Sequence, residues 1–279
     1  MAQKRVAAIQ DISCFGKCSL TVALPLLSAA GIETAVIPTA VLSTHTGGFT
    51  GNTFRDLSAD IVPIARHWKK ENITADAVYT GYLCSKEQIY LALEAARLIS
   101  RKDTLLITDP AMADNGRLYR GIDKDFPEYM LKLCAAADII TPNVTEAALM
   151  LGLGYKEPPY TEEYINTLLE GLYTKTHSKI VLTGVSFENR KIGASVFDGG
   201  NKAYVFAEKL DALYHGTGDV FTSSFIAALL NDRSLKAAAQ IAANFTAGCI
   251  RSTMENCTEE RCGVSFESQI PNLIKYLEL

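Results

Sequence analysis

TLLITDPAMADNGRLYRGIDKDFPEYMLKLCAAADIITPNVTEAALML, residues 104–151, decides the architecture. Thr104–Thr108 is a short β-rich run that stops at Asp109-Pro110. Asp125–Ala136 carries apolar residues at helical spacing, Asp138–Thr141 is a second short apolar run, and Thr145–Leu151 starts a second helix. Strand, helix, strand, helix at this spacing predicts parallel strands joined by crossover helices.

The same alternation extends in both directions. Further strands are expected at Arg5–Gln10, Glu33–Thr39, Ala77–Tyr79 and Lys179–Thr183. Further helices are expected at Ser19–Ala30, Phe54–Lys70, Glu87–Ile99, Glu162–Thr174, Asp219–Leu230 and Leu235–Thr253, with a last one near Glu267–Leu277. Ser85 and Gln88 have the spacing of a capping box for the third helix. Most of the strands lack strict alternation, as expected of strands covered on both faces. Ile192–Phe197 and Ala203–Phe206 flank Asp198-Gly199-Gly200-Asn201-Lys202 and read as a hairpin. The expected fold is α/β: three layers, α/β/α, around a mainly parallel sheet with an antiparallel edge hairpin. Neither a repeat nor a linker divides the chain, and Pro158-Pro159 reads as a surface loop, so residues 1–279 are read as one domain.

Composition narrows the function. Of 279 residues, 48% are hydrophobic, enough for a large core. The net charge is −4 and no long basic stretch exists, which argues against nucleic acid as a partner. The first residues, MAQKRVAAIQD, hold too short an apolar run for a secretion signal. No apolar run approaches the roughly 20 residues that span a bilayer, so no membrane partner is expected. Seven scattered cysteines, an odd number without metal-finger spacing, fit a reduced cytoplasmic protein. Cys257 and Cys262 are five apart but have no second pair.

In parallel sheets ligands bind beyond the carboxyl ends of the strands. Asp11, Gly81-Tyr82, Asp109, Asn143 and Thr183-Gly184 all follow expected strands. A second kind of signal is Tyr214–Ser224, YHGTGDVFTSS. Its glycines permit positive φ and close approach of a ligand. The helix that follows presents unpaired N–H groups and the positive end of its dipole. Residues 215–219, His-Gly-Thr-Gly-Asp, therefore form a candidate phosphate site, with Asp219 placed to align a hydroxyl and take its proton. Alone, GxGD is weak; an Asp that merely stabilises the helix dipole explains it equally well.

The segments around it supply specificity. AIQ at 8–10, THTGGFTG at 44–51, TGYL at 80–83, TDPAMADNGRLY at 108–119, TPNVTEAALMLG at 141–152 and GTGDVFTSSF at 216–225 occur in an order that resembles the ribokinase superfamily, above all its vitamin B6 kinases. The resemblance covers residues 7–252. It implies ATP-dependent phosphorylation of the 5′-hydroxyl of pyridoxal, pyridoxamine or pyridoxine. It implies an anion hole at Gly216, Thr217 and Gly218 with Asp219 as catalytic base. It also implies ATP contacts from Asp109, Tyr119, Thr141, Asn143, Glu146 and Thr183, with Asp109 and Glu146 near Mg2+. Substrate contacts fall to His45, Thr46 and Tyr82. A homodimer is implied, and a K+ requirement is left open.

Local structural roles stand beside these assignments. Asp109 before Pro110 suits a turn, Asn143 and Glu146 suit a helix cap, His45 suits a satisfied loop histidine, and Tyr82 suits the core. The chain also departs from the B6 pattern. Asp11 stands where serine is usual, and Gly16-Lys17-Cys18-Ser19-Leu20 replaces the usual GxxGN. Asp11 is a candidate contact for the ring nitrogen, O3′ or a 4′-amine, with a bias toward pyridoxamine; capping of local N–H groups is its structural alternative. Two other functions stay open: hydroxymethylpyrimidine kinase, whose branch is suggested by HGTG but tends to carry Cys where Asp219 stands, and a non-catalytic nucleotide- or vitamer-binding protein.

Overall fold

The computed structural model describes residues 3–256 and 259–279, so Cys257 lies outside the described residues. The order of elements is β1 (Arg5–Ser13), α1 (Leu20–Ala29), β2 (Glu33–Leu42), β3 (Phe54–Asp56), α2 (Ser58–Lys70), β4 (Ala75–Thr80), α3 (Lys86–Ile99) and β5 (Ser100–Thr108). A small pair, β6 (Ala113–Asp114) and β7 (Arg117–Leu118), precedes α4 (Phe126–Cys134), β8 (Ile139–Ile140), α5 (Val144–Leu151) and α6 (Glu162–Thr176). The chain continues through β9 (Lys179–Glu188), β10 (Lys191–Phe197), β11 (Lys202–Glu208), α7 (Thr217–Leu230), α8 (Leu235–Glu255) and α9 (Ile270–Leu277).

Nine strands form one sheet in the order β11-β10-β9-β8-β5-β4-β1-β2-β3. The run from β2 to β9 is parallel throughout. The expected hairpin, β10 and β11, joins antiparallel at one edge. Side chains alternate between two apolar layers. Ala7, Ile9 and Val78 face the layer of α2 to α6, where Ile89, Met130 and Leu168 are buried. Val6, Ala77 and Tyr79 face the layer of α1, α7, α8 and α9, where Leu26, Phe225, Phe245 and Leu273 are buried. Each large side chain so buried stabilises by about 1.5–3 kcal/mol. The three-layer expectation holds.

Three local expectations need correction. Phe54–Asp56 does not open a helix but pairs antiparallel with β2 at the other edge. The helix starts only at Ser58, because the Asp56 carboxylate accepts both the backbone N–H and the hydroxyl of Ser58, at 2.7 and 2.6 Å. The capping box at Ser85 is half formed. Ser85 Oγ accepts the Gln88 N–H at 3.2 Å, but the Gln88 amide instead bonds Cys84 N–H and donates to Thr39 O and Asp56, tying α3 to β2 and β3. Finally, β6 and β7 were not expected. Asn115 and Gly116 both adopt positive φ, 48° and 74°, between them. Asn-Gly is a strong signal for such a two-residue turn, so the hairpin was legible at residues 114–117.

Candidate active site

The carboxyl ends of the parallel strands converge on one mouth, and α7 begins there. Its N-cap, Gly216, has φ 80° and no side-chain cap. Glycine is required twice over: the backbone is left-handed, and a Cβ would lie 1.9 Å from Lys17 O. The Val220 N–H closes on Gly216 O at 3.0 Å. The N–H groups of Thr217, Gly218 and Asp219 precede that bond and point out of the helix end. Nothing would meet a Cβ at Gly218, so the approach to them is open.

Asp219 sits in the first turn, close to Asp109 and Asp11. Burial, then the Asp109 charge, pushes its carboxyl up to about 8, against the opposing hydrogen bond from the Ser19 backbone. Asp109 is itself 7% exposed. Its Oδ2 accepts from Thr222 Oγ1 at 3.0 Å, and Thr222 Oγ1 lies 3.2 Å from Thr141 Oγ1. Thr222, one helical turn after Asp219, went unread in the sequence. Its only signal there was a polar TSS run on an otherwise apolar helix.

Asn143 and Glu146 make a complete capping box for α5. Glu146 N–H donates to Asn143 Oδ1, and Asn143 N–H to Glu146 Oε2, both at 2.8 Å. Their remaining groups reach the Asp109 loop: Asn143 Nδ2 donates to Ala113 O at 2.8 Å, and Met112 N–H donates to Glu146 Oε1 at 3.1 Å. Cap and loop are thus one unit. Glu146 is buried, and burial followed by the Asp109 charge raises its carboxyl above the ordinary range. Thr183 is not the end of its strand, because β9 runs on to Glu188. It bridges to Asn143, with its N–H donating to Pro142 O at 2.8 Å, just before Gly184 takes φ 76°. Tyr119 is 37% exposed and shares this end with Glu146, Asp114, Asp109 and Asp219.

The opposite wall comes from the end of β1 and from loops. Asp11 is 3% exposed near the end of β1. Tyr82, half-buried after β4, feels the Asp11 charge, and burial raises its phenol. His45 is buried. Its Nδ1 accepts Gly47 N–H at 3.1 Å, which leaves Nε2 to donate to Arg261 O at 2.8 Å. Burial lowers its pKa, so the neutral ring is favoured. Both ring nitrogens are thereby used in holding loops together, while the neighbouring Thr46 is half-buried in the same loop. The His215 ring, 5.1 Å from that of His45, occupies the space a Cβ at Gly47 would need. Cys18 and Ser19, from the segment that departs from GxxGN, join this wall, as does Arg261, which was not singled out from sequence. Among the described residues no group of three His, Cys, Asp or Glu side chains is placed to hold a metal alone.

An anion-facing helix start with an elevated acid beside it, at the mouth of a parallel sheet, defines a small-molecule kinase of the ribokinase-like class. A family model described as phosphomethylpyrimidine kinase matches residues 24–261, and the chain belongs to this family. It is 26% identical to pyridoxal kinase PdxY of Pasteurella multocida over 252 residues, 83% of this chain and 82% of that one. Among solved structures it resembles pyridoxal kinase from Lactobacillus plantarum, with TM-score 0.89 and 29% identity over 99% of this chain and 98% of that one. A Bacteroides thetaiotaomicron protein provisionally assigned as a phosphomethylpyrimidine kinase, crystallised with pyridoxal, matches with TM-score 0.89 and 34% identity over 99% and 96% of the two chains.

Proposed function

We propose that the chain, acting as one domain, transfers the γ-phosphoryl group of ATP to the 5′-hydroxyl of a B6 vitamer. The observation that carries this is Asp219, an acid held near neutrality beside the free N–H groups of α7. In the transfer, the substrate oxygen bonds the γ-phosphorus while the bond to the β-phosphate oxygen breaks. Asp219 takes the hydroxyl proton and ADP leaves. A base with pKa near the working pH suits this task better than an ordinary aspartate. The Gly216–Gly218 turn stabilises charge on the moving group.

Asp109, Tyr119, Thr141, Asn143, Glu146 and Thr183 line the nucleotide side. Mg2+ takes oxygen ligands, keeps several waters and shares phosphate oxygens. The fit lies in the donors: Asp109 and Glu146 are both buried, the Asp109 charge adds to burial in raising Glu146, and neither carboxylate forms an ion pair among the described residues. Both oxygens of Glu146 already accept backbone N–H groups, so its part is to hold the loop while Asp109 faces the ion. Mg2+ there would neutralise phosphate charge. His45, Thr46, Tyr82 and Asp11 line the vitamer side. The reading includes a homodimer and a cytoplasmic setting. The latter is supported by six described cysteines without disulfides and by the lack, among described residues, of a helix long and apolar enough to cross a membrane.

Hydroxymethylpyrimidine phosphorylation is the second reading, favoured by the matching family model and by His215-Gly216-Thr217-Gly218. ADP release with pyridoxal, pyridoxamine, pyridoxine and hydroxymethylpyrimidine, with ATP and Mg2+, separates the two. Turnover of the pyrimidine alone would overturn the B6 reading. ATP binding without any turnover would leave a non-catalytic binding protein.

A further inference from the structure

Asp11 is a buried carboxylate of the site that the transfer does not use. It lies where β1 and β2 lose register: Gln10 pairs with Pro38 and Ile12 with Val41, so Asp11 alone faces Thr39 and Ala40. Such irregularities re-aim side chains beside active sites. Its Oδ2 accepts a hydrogen bond from Ser13 Oγ at 3.2 Å, and Ser19 also bonds the carboxyl. Its Oδ1 is buried without a hydrogen-bond partner. The titratable groups that sense its charge are Asp219, Cys18, Tyr82 and Cys84, none of them cationic. The nearby Lys17 is committed to Glu267 at 2.8 Å and Ser265 at 3.4 Å. A buried carboxylate with an unpaired oxygen and, among the described residues, no ion-pair partner is costly unless a cation arrives.

We propose that Asp11 Oδ1 receives a protonated amine of the substrate and so makes an aromatic alcohol bearing an ammonium group, pyridoxamine among the vitamers, the preferred acceptor. The proposal rests on the B6 reading above. The ammonium supplies both the missing donor and the missing positive charge. A serine here has no charge with which to favour the amine over an alcohol or aldehyde. The ring nitrogen is common to all three vitamers, so a carboxylate that read it would give no preference among them.

The test is kcat/KM for pyridoxamine and pyridoxine in the wild type, Asp11→Ser and Asp11→Asn, with the unfolding midpoint of each ligand-free protein. The pyridoxamine-to-pyridoxine ratio is expected to fall at least about tenfold in both variants. The ligand-free midpoint is expected to rise, because an unpaired buried charge has gone. A ratio that moves less than about threefold overturns the proposal, as does an equal loss for both vitamers. Wild-type protein that turns over neither vitamer refutes the B6 reading instead. Calorimetric titration with the same two compounds then decides the role of Asp11: a preference for the amine that both variants lose sustains it, and its absence in the wild type ends it.

Discussion

Replacing Asp219 by Asn should abolish transfer and stabilise the ligand-free protein at the same time. The acid is raised to about 8 by burial and by Asp109, so the folded chain resists its ionisation. Each pH unit between the unfolded and folded pKa corresponds to about 1.4 kcal/mol. At pH ~7 the full shift would amount to about 4 kcal/mol. Asp219 as a residue is only partly buried, and screening reduces the expectation to about 1–2 kcal/mol. The sign follows from proton binding. Between about pH 4 and 8 the folded state holds more protons on Asp219 than the unfolded state, so its contribution to stability falls as pH rises. The stability advantage of Asp219→Asn should therefore widen from about pH 5 to 8, as read by urea unfolding. In the ADP-release assay kcat should drop by about 100- to 10,000-fold. The wild-type kcat/KM should climb on the acid side toward about 8, the free-enzyme value. A variant no more stable than wild type, with a gap independent of pH, would refute the elevated acid. Retention of kcat would refute the base.

Gly216→Ala should lose about 2 kcal/mol or more and most activity, since its Cβ would meet Lys17 O at 1.9 Å with φ at 80°; unfolding and ADP release measure both. Ser19 holds φ 53° where the B6 pattern has glycine, so Ser19→Gly should gain about 0.5–1 kcal/mol in denaturant unfolding. Thr222→Val keeps the volume but strips Asp109 Oδ2 of its donor, which should cost about 1–2 kcal/mol and weaken ATP use in kcat/KM. Asn143→Ala removes the cap of α5 and the tie to Ala113, a loss of about 1–2 kcal/mol, with KM for ATP rising.

What the sequence revealed divides by range. Strand–helix alternation is local, and the parallel sheet followed from it. The alternation of Val6 and Ala7 into opposite layers is a consequence of period 2 that no single run displays without its neighbours. Asp219, Asn143 and Asp109 could be read because they sit at fixed places just after a strand or at the start of a helix. Thr222 could not, because its importance comes from Asp109, 113 residues away in the chain. The wall built from Gly47, His45, His215 and Arg261 is likewise a meeting of three distant loops. The Phe54–Asp56 edge was misread for a different reason: three residues are too few to show a period, and one Asp56 carboxylate moved the helix start.

The acids of this site make one physical argument. Asp109 raises Glu146, Asp109 and Asp11 both raise Asp219, and no lysine or arginine forms an ion pair with any of them among the described residues. Each raises the cost of ionising the next. A fold selected for stability alone would replace such acids with amides or place a cation among them. Their gathering at this mouth, from strand ends and helix starts alike, is the mark of a site whose charge is completed from outside. Stability of the empty protein should therefore respond to positive ligands more than to neutral ones. The clearest case lies on the vitamer side. If Asp11 awaits a cation, pyridoxamine should raise the unfolding midpoint of wild type more than equimolar pyridoxine, and Asp11→Ser should erase the difference. Equal midpoints with both compounds in the wild type would show that this carboxylate is not waiting for a charge.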